Sequence, residues 1–188
     1  MLSFLALVLF IAIIISLVWG RLRFFTVNTG TAFWVAVGYD LAVVVHMGLT
    51  VYLLITVTTI TEWRIIGAVF AYAASLVLFW WSIVTAKSLD FAFSEHVGDI
   101  VTKGPYGLVR HPFYVSYMMA WISSAALFSH PVLWLTAGYL GVFYVLSARK
   151  EERLILQSEQ AERYRCYQQQ VGMFLPRKQK WKQSSSRP

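Results

Sequence analysis

Five apolar runs alternate with short polar stretches along the chain, at about 2–19, 33–60, 65–85, 113–128 and 132–147. A helix needs about 20 mostly apolar residues to cross the hydrocarbon core of a bilayer. The pattern therefore predicts an all-α, polytopic membrane protein with about five transmembrane helices. The second run is long enough to tilt or to extend past the membrane. The fourth is near the lower limit, which suits an inclined span or one that starts in the headgroup layer. The first stands where a signal peptide would. It lacks a preceding basic residue, it is long for such a segment, and Arg21 and Arg23 follow it, so it suits an anchor.

The connections sharpen the picture. Thr61-Glu62-Trp63-Arg64 joins the second run to the third, and Ser129-His130-Pro131 joins the fourth to the fifth. The latter predicts a helical hairpin with almost no loop. A mixed polar segment, 86–111, precedes the fourth run, and a polar, basic tail follows residue 149. The expected organisation is a single membrane domain, 1–188. Three N-terminal helices occupy 1–85, a core 86–176, and a basic tail 177–188. The closing Ser184-Ser185-Ser186-Arg187-Pro188 suits disorder.

Composition agrees. The chain is 58% hydrophobic and only 13% charged, against about a quarter charged in soluble domains. Its one cysteine, Cys166, excludes an intrachain disulfide and gives no cysteine-based zinc site. The net charge of +7 would suggest nucleic acid on a soluble protein. Here the bases lie between and after apolar runs, so they read as topology, with no nucleic-acid partner. With five spans, all of the sixteen Lys and Arg except Arg64 fall on one side. Positive residues stay cytoplasmic, which predicts the N-terminus outside and the C-terminus inside.

That topology collects the reactive residues at one end of the fourth and fifth spans. One segment is Lys103-Gly104-Pro105-Tyr106-Gly107-Leu108-Val109-Arg110-His111-Pro112-Phe113-Tyr114. Gly-Pro makes a turn, and Pro112 suits the first turn of a helix. The fourth helix then begins near His111, with free N–H groups and a positive dipole end that suit a carboxylate. Tyr106, Arg110, His111 and Tyr114 surround that point. As a simpler alternative, Tyr and Arg here are interfacial anchors. The other segment is Arg149-Lys150-Glu151-Glu152-Arg153. Its adjacent carboxylates accept hydrogen bonds and suit an ammonium; alternatively they pair with Lys150 and Arg153 on a solvated helix face. Together the segments offer an anion site beside a cation site, as a zwitterionic amino acid moiety needs.

At these residues the chain resembles the isoprenylcysteine carboxyl methyltransferase and phospholipid methyltransferase family of integral membrane enzymes. The resemblance rests on Val101-Thr102-Lys103-Gly104-Pro105-Tyr106, Arg110-His111-Pro112-Phe113-Tyr114 and Glu151-Glu152. Tyr164, Tyr167, Val171 and Phe174-Leu175-Pro176 follow at similar spacing, so it covers about 97–176. It implies S-adenosylmethionine as methyl donor, bound from the cytoplasm beneath the fourth and fifth spans. The implied donor contacts are Ile100, Val101, Tyr106, His111, Pro112, Phe113, Tyr114, Glu151 and Glu152. Glu152 would take the donor's ammonium, the helix start at Pro112 its carboxylate, and Tyr106 or Tyr114 its sulfonium. A substrate-contacting Arg before the Glu pair would fall on Arg149. Gln160-Ala161, Met173 and Ser116 depart from the family's usual residues.

The methyl acceptor is expected to be lipophilic or small, with the bilayer itself as a partner. A carboxylate acceptor needs positioning alone. An amine or thiol must lose a proton, and His111 is the nearest base by sequence. Two other readings compete. One is an NADPH-dependent sterol-type reductase, which shares the hairpin and a similar Arg-His-Pro-x-Tyr but has Asn where Phe113 stands. The other is a non-catalytic membrane subunit. Asp40 and His46 lie within the second span, six residues and about 240° apart. They read as buried packing or cavity polar groups, or as lining an acceptor path. The basic tail with Trp181 reads as resting on anionic lipid or as disordered.

Overall fold

The computed structural model describes residues 1–23, 33–87 and 100–177. Among them the chain forms α1 (Leu2–Arg23), α2 (Phe33–Thr56), α3 (Glu62–Lys87), α4 (Pro112–Phe128), α5 (Pro131–Leu156) and α6 (Ala161–Gln170). A 3-10 turn, Gly104–Gly107, precedes α4. The described residues hold no strand, only an isolated parallel bridge between Val109 and Gly172. Residues 88–99 of the expected polar segment and the tail beyond 177, with Trp181, lie outside the described residues.

The five apolar runs are α1 to α5, and the protein is an all-α membrane protein. α1, α2, α3 and α5 are long and apolar enough to cross a bilayer. α4 has 17 residues and so extends about 25 Å at 1.5 Å per residue. It is the short run that the sequence marked. α5 has 26 residues and continues well past 147, because Ala148 to Leu156 contain no breaker and suit a helix.

The helices close into a ring. α1 packs on α3, α3 on α4, α4 on α5, α5 on α2, and α2 returns to α1. Phe10, Tyr72, Trp121, Leu133, Leu140 and Tyr144 fill its centre. Outward positions such as Phe4, Val44, Phe70, Val77, Leu135 and Val142 are exposed, as a lipid-facing surface requires. No water is available there to satisfy polar groups, so they satisfy one another. Ser82 Oγ donates to Leu78 O at 2.6 Å, and Ser124 Oγ to Ala120 O at 3.1 Å. Other hydroxyls tie helices together: Tyr72 OH lies 2.8 Å from Ser124 Oγ, and Ser75 Oγ donates to Ser116 O at 2.8 Å.

The α4–α5 hairpin is as tight as expected. Ser129 takes a left-handed φ of 52° and donates its N–H to Ala125 O at 2.8 Å, ending α4. His130 then caps α5, its Nδ1 accepting the Val132 N–H at 3.2 Å, with Pro131 in the first turn. Both ends of the hairpin are thereby fixed.

The two ionisable residues of α2 part company. Asp40 was expected to be buried; its side chain is 45% exposed and forms an ion pair with Arg21 of α1. Arg21 Nη2 donates to Asp40 Oδ2 at 2.8 Å. The reason is position: Asp40 lies in the second turn of α2, within reach of the basic end of α1. His46, further along, is buried, with Nδ1 2.7 Å from Thr136 Oγ1 of α5 and its ring edge-on to Trp121.

Two buried hydroxyls, Thr50 Oγ1 and Tyr117 OH, have no such partner among the described residues. An unsatisfied buried hydroxyl costs about 1–3 kcal/mol. Tyr117→Phe should therefore leave the thermal midpoint in detergent unchanged or raise it. A fall of several degrees would show that the hydroxyl is paired.

Candidate functional site

The site is assembled where α4 begins and α5 ends. Its first part is the turn at Gly104, whose φ is +58°. A Cβ there would stand 2.9 Å from Thr85 Oγ1 and 3.2 Å from Trp81 Nε1, so glycine lets the turn press against the end of α3. Pro105 is buried, and its carbonyl accepts the N–H groups of Leu108 and Val109 at 3.1 Å. From Val109 the chain runs beside residues 172–173. Arg110 N donates to Gly172 O at 2.9 Å, and His111 N to Met173 O at 3.2 Å. Pro112 then opens α4.

α6 seals this arrangement from below. Tyr164, Tyr167 and Val171 bury against Ile100, with Ile155 and Leu156 alongside. Tyr167 OH donates to Tyr106 O at 2.5 Å. Burial pushes the hydroxyls of Tyr106, Tyr164 and Tyr167 above the usual phenol range, so they act as neutral groups.

An ion cluster joins the three elements. Glu152, on the inner face of α5, takes Arg110 Nε at 2.8 Å and His111 Nε2 at 3.0 Å on Oε1. Its Oε2 takes Arg110 Nη2 at 3.2 Å and Gln168 Nε2 of α6 at 2.8 Å. A carboxylate has about four acceptor positions, and these donors fill them. Arg110 Nη1 also reaches Val171 O at 2.5 Å. The Arg110 and Glu152 side chains are 10% and 8% exposed.

Glu151 differs from its neighbour. Its side chain is 49% exposed, its Oε2 lies 3.5 Å from His111 Nδ1, and its Oε1 accepts from Tyr114 OH. The Tyr114 ring stacks with His111 at 5.7 Å and with Tyr144 at 5.2 Å between centroids.

The hairpin thus brings together Tyr106, His111, Pro112, Tyr114, Glu151 and Glu152, as expected from the two segments. Ile100 and Val101 are buried beside them, and Phe113 meets Phe79 at 5.7 Å. The Glu pair does not turn to Lys150 and Arg153; Arg153 Nε instead reaches Arg149 O at 3.4 Å. Arg149 is exposed on α5, and the guanidinium in the cluster is that of Arg110. Gln168 was not anticipated as a participant, and a lone amide in a polar helix carries no signal. Arg110 was noted at the helix start but not as the partner of Glu152. Opposite charges at the two ends of a tight hairpin were the available clue.

Residues 65–157 match the model of the isoprenylcysteine carboxyl methyltransferase (ICMT) family. This segment, 93 of the chain's 188 residues, is similar to the ICMT family. The matched segment takes in α3, which no motif had marked, and stops before α6. Over 80 residues, 42% of the chain, it is 38% identical to a protein of Pseudomonas deceptionensis named methanethiol S-methyltransferase. The matched region covers 29% of that relative's length, under a third. No solved structure matches the chain.

Proposed function

We propose that this protein is a membrane methyltransferase that uses S-adenosylmethionine to methylate a lipophilic or small acceptor from the cytoplasmic side. The observation that carries the reading is the convergence of His111, Tyr114, Glu151 and Glu152 at one end of the α4–α5 hairpin. The residues suit the donor's amino acid moiety. The start of α4 has no side-chain cap, so its first N–H groups and dipole end favour a carboxylate. Bound there, S-adenosylmethionine supplies an electrophilic methyl on a positively charged sulfur.

Residue roles follow from occupancy. Glu152 is saturated by Arg110, His111 and Gln168 and holds the frame. The half-exposed Glu151 is the better partner for an ammonium, a role the resemblance had given to Glu152. Tyr114 already stacks with His111 and Tyr144, which leaves Tyr106 as the aromatic for the sulfonium. Both ring nitrogens of His111 face carboxylates. Neither is left to take a proton from a methyl acceptor, so His111 orients rather than acts as base. Arg149, exposed on the same helix, is open to contact a methyl acceptor arriving from the membrane surface. The named activity of the Pseudomonas relative makes a small thiol one acceptor to test.

Glu151→Gln removes a charge-assisted contact of about 1.5–3 kcal/mol. It should weaken S-adenosylmethionine binding by about 10- to 100-fold, with under about 1 kcal/mol lost in stability because the group is half-exposed. Calorimetric titration of the purified protein measures this. Unchanged affinity would return the ammonium to Glu152, and no heat with the unmutated protein would end the methyltransferase reading. Methyl-labelled donor incubated with lipid extract and with small thiols identifies the acceptor class.

A further inference from the structure

At the opposite end of the ring, α2 and α4 end while α3 and α5 begin. A cavity of about 170 Å³ opens there among the two turns. One part of its lining is apolar, with Leu53 from α2 and Leu127 and Phe128 from α4. The other part is polar, with Thr61, Arg64 and His130. This end plays no part in the donor site.

The polar lining is made of hydrogen-bond donors. Arg64 is half-buried and forms no ion pair among the described residues; its guanidinium carbon lies 5.4 Å from the centre of the Trp63 ring. Glu62, two residues earlier, projects about 200° away round the helix and is exposed. His130 Nδ1 accepts the Val132 N–H. A neutral imidazole accepting at Nδ1 carries its proton on Nε2, so its second nitrogen is a donor. Among the described residues no carboxylate lines the cavity. The lining therefore suits an anion and offers nothing for an ammonium.

Position names the source of that anion. The turns lie where the apolar lengths of α2 to α5 stop, at the height of lipid headgroups. Trp63, 69% exposed, is an aromatic of the interfacial belt beside the cavity. The apolar lining comes from the last turns of α2 and α4 and offers a surface for the glyceride stem attached to the anion. We infer that this cavity binds the phosphate headgroup of an anionic phospholipid, with Arg64 and His130 as donors to the phosphate and Leu53, Leu127 and Phe128 against the glyceride stem.

Native mass spectrometry tests this on the full chain, purified in micelles containing equal phosphatidylglycerol and phosphatidylcholine. The unmutated protein should retain one phosphatidylglycerol in preference to phosphatidylcholine. Arg64→Gln should weaken that retention about tenfold or more, the effect of losing a charged hydrogen bond. His130→Gln should weaken it less, and Arg64→Lys, which keeps the charge, should preserve most of it. Equal retention of the two lipids, or phosphatidylglycerol held as well by Arg64→Gln, would overturn the inference. Displacement by millimolar inorganic phosphate would make this a site for a free anion and overturn its assignment to lipid. A folding defect in Arg64→Gln leaves the decision to Arg64→Lys and His130→Gln.

Discussion

Glu152→Ala should destabilise the protein by about 3–5 kcal/mol, the range for removing one partner of a buried ion pair. The mutation does more than delete a contact. Arg110 loses both Nε and Nη2 partners and keeps the backbone carbonyls of Val171 and Gln168. His111 loses its 3.0 Å partner, and Gln168 its only tie to α5 among the described hydrogen bonds. The start of α4, the end of α5 and α6 would no longer share an anchor. Thermal unfolding in detergent should show the loss directly. Donor binding should vanish with it, in contrast to Glu151→Gln, which weakens binding while sparing stability. A midpoint within two degrees of the unmutated protein would refute the framing role of Glu152.

The second large effect is expected at Gly172. A Cβ on this residue would lie 2.0 Å from Leu175 O and 3.2 Å from Leu175 C. Both are backbone atoms, so no side-chain rotation relieves the clash. Gly172→Ala must open the turn at 172–175. That turn carries the carbonyls that accept from Arg110 N and His111 N, next to the Val171 carbonyl held by Arg110 Nη1. Two ordinary hydrogen bonds and one charged one are at risk, about 3 kcal/mol together. The loss should be local: α6 becomes sensitive to protease and donor affinity collapses, while the five-helix ring melts near its normal temperature. Limited proteolysis beside a binding titration distinguishes these. Wild-type resistance with wild-type affinity would show that the turn tolerates the methyl group.

The helices and their hairpin were readable in the sequence because a bilayer imposes long apolar runs, and Pro131 and Pro112 mark where helices start. The cluster was readable in part. His111 and Glu152 stood out as polar residues at the same end of one hairpin. The inward direction of Glu152 was also encoded, in the fourfold spacing Leu140, Tyr144, Ala148, Glu152, all buried on α5. That spacing turns Arg149 outward, which the motif alone did not reveal. The contribution of α6 was not readable, since Gln168 acts through a tertiary contact across 16 residues and α6 has no apolar run to fix its placement. Asp40 was misjudged because hydropathy does not show that the basic end of α1 lies beside it.

The order of the ring has a consequence for how the protein is made. α2 closes the ring against α5, so His46 finds Thr136 only 90 residues further along the chain. At about 5–20 residues per second of synthesis, that is on the order of ten seconds. During this time α2 enters the membrane with its imidazole lacking its eventual partner. The nascent chain therefore depends on shelter for that face, from the insertion machinery or from α1, until the last span arrives.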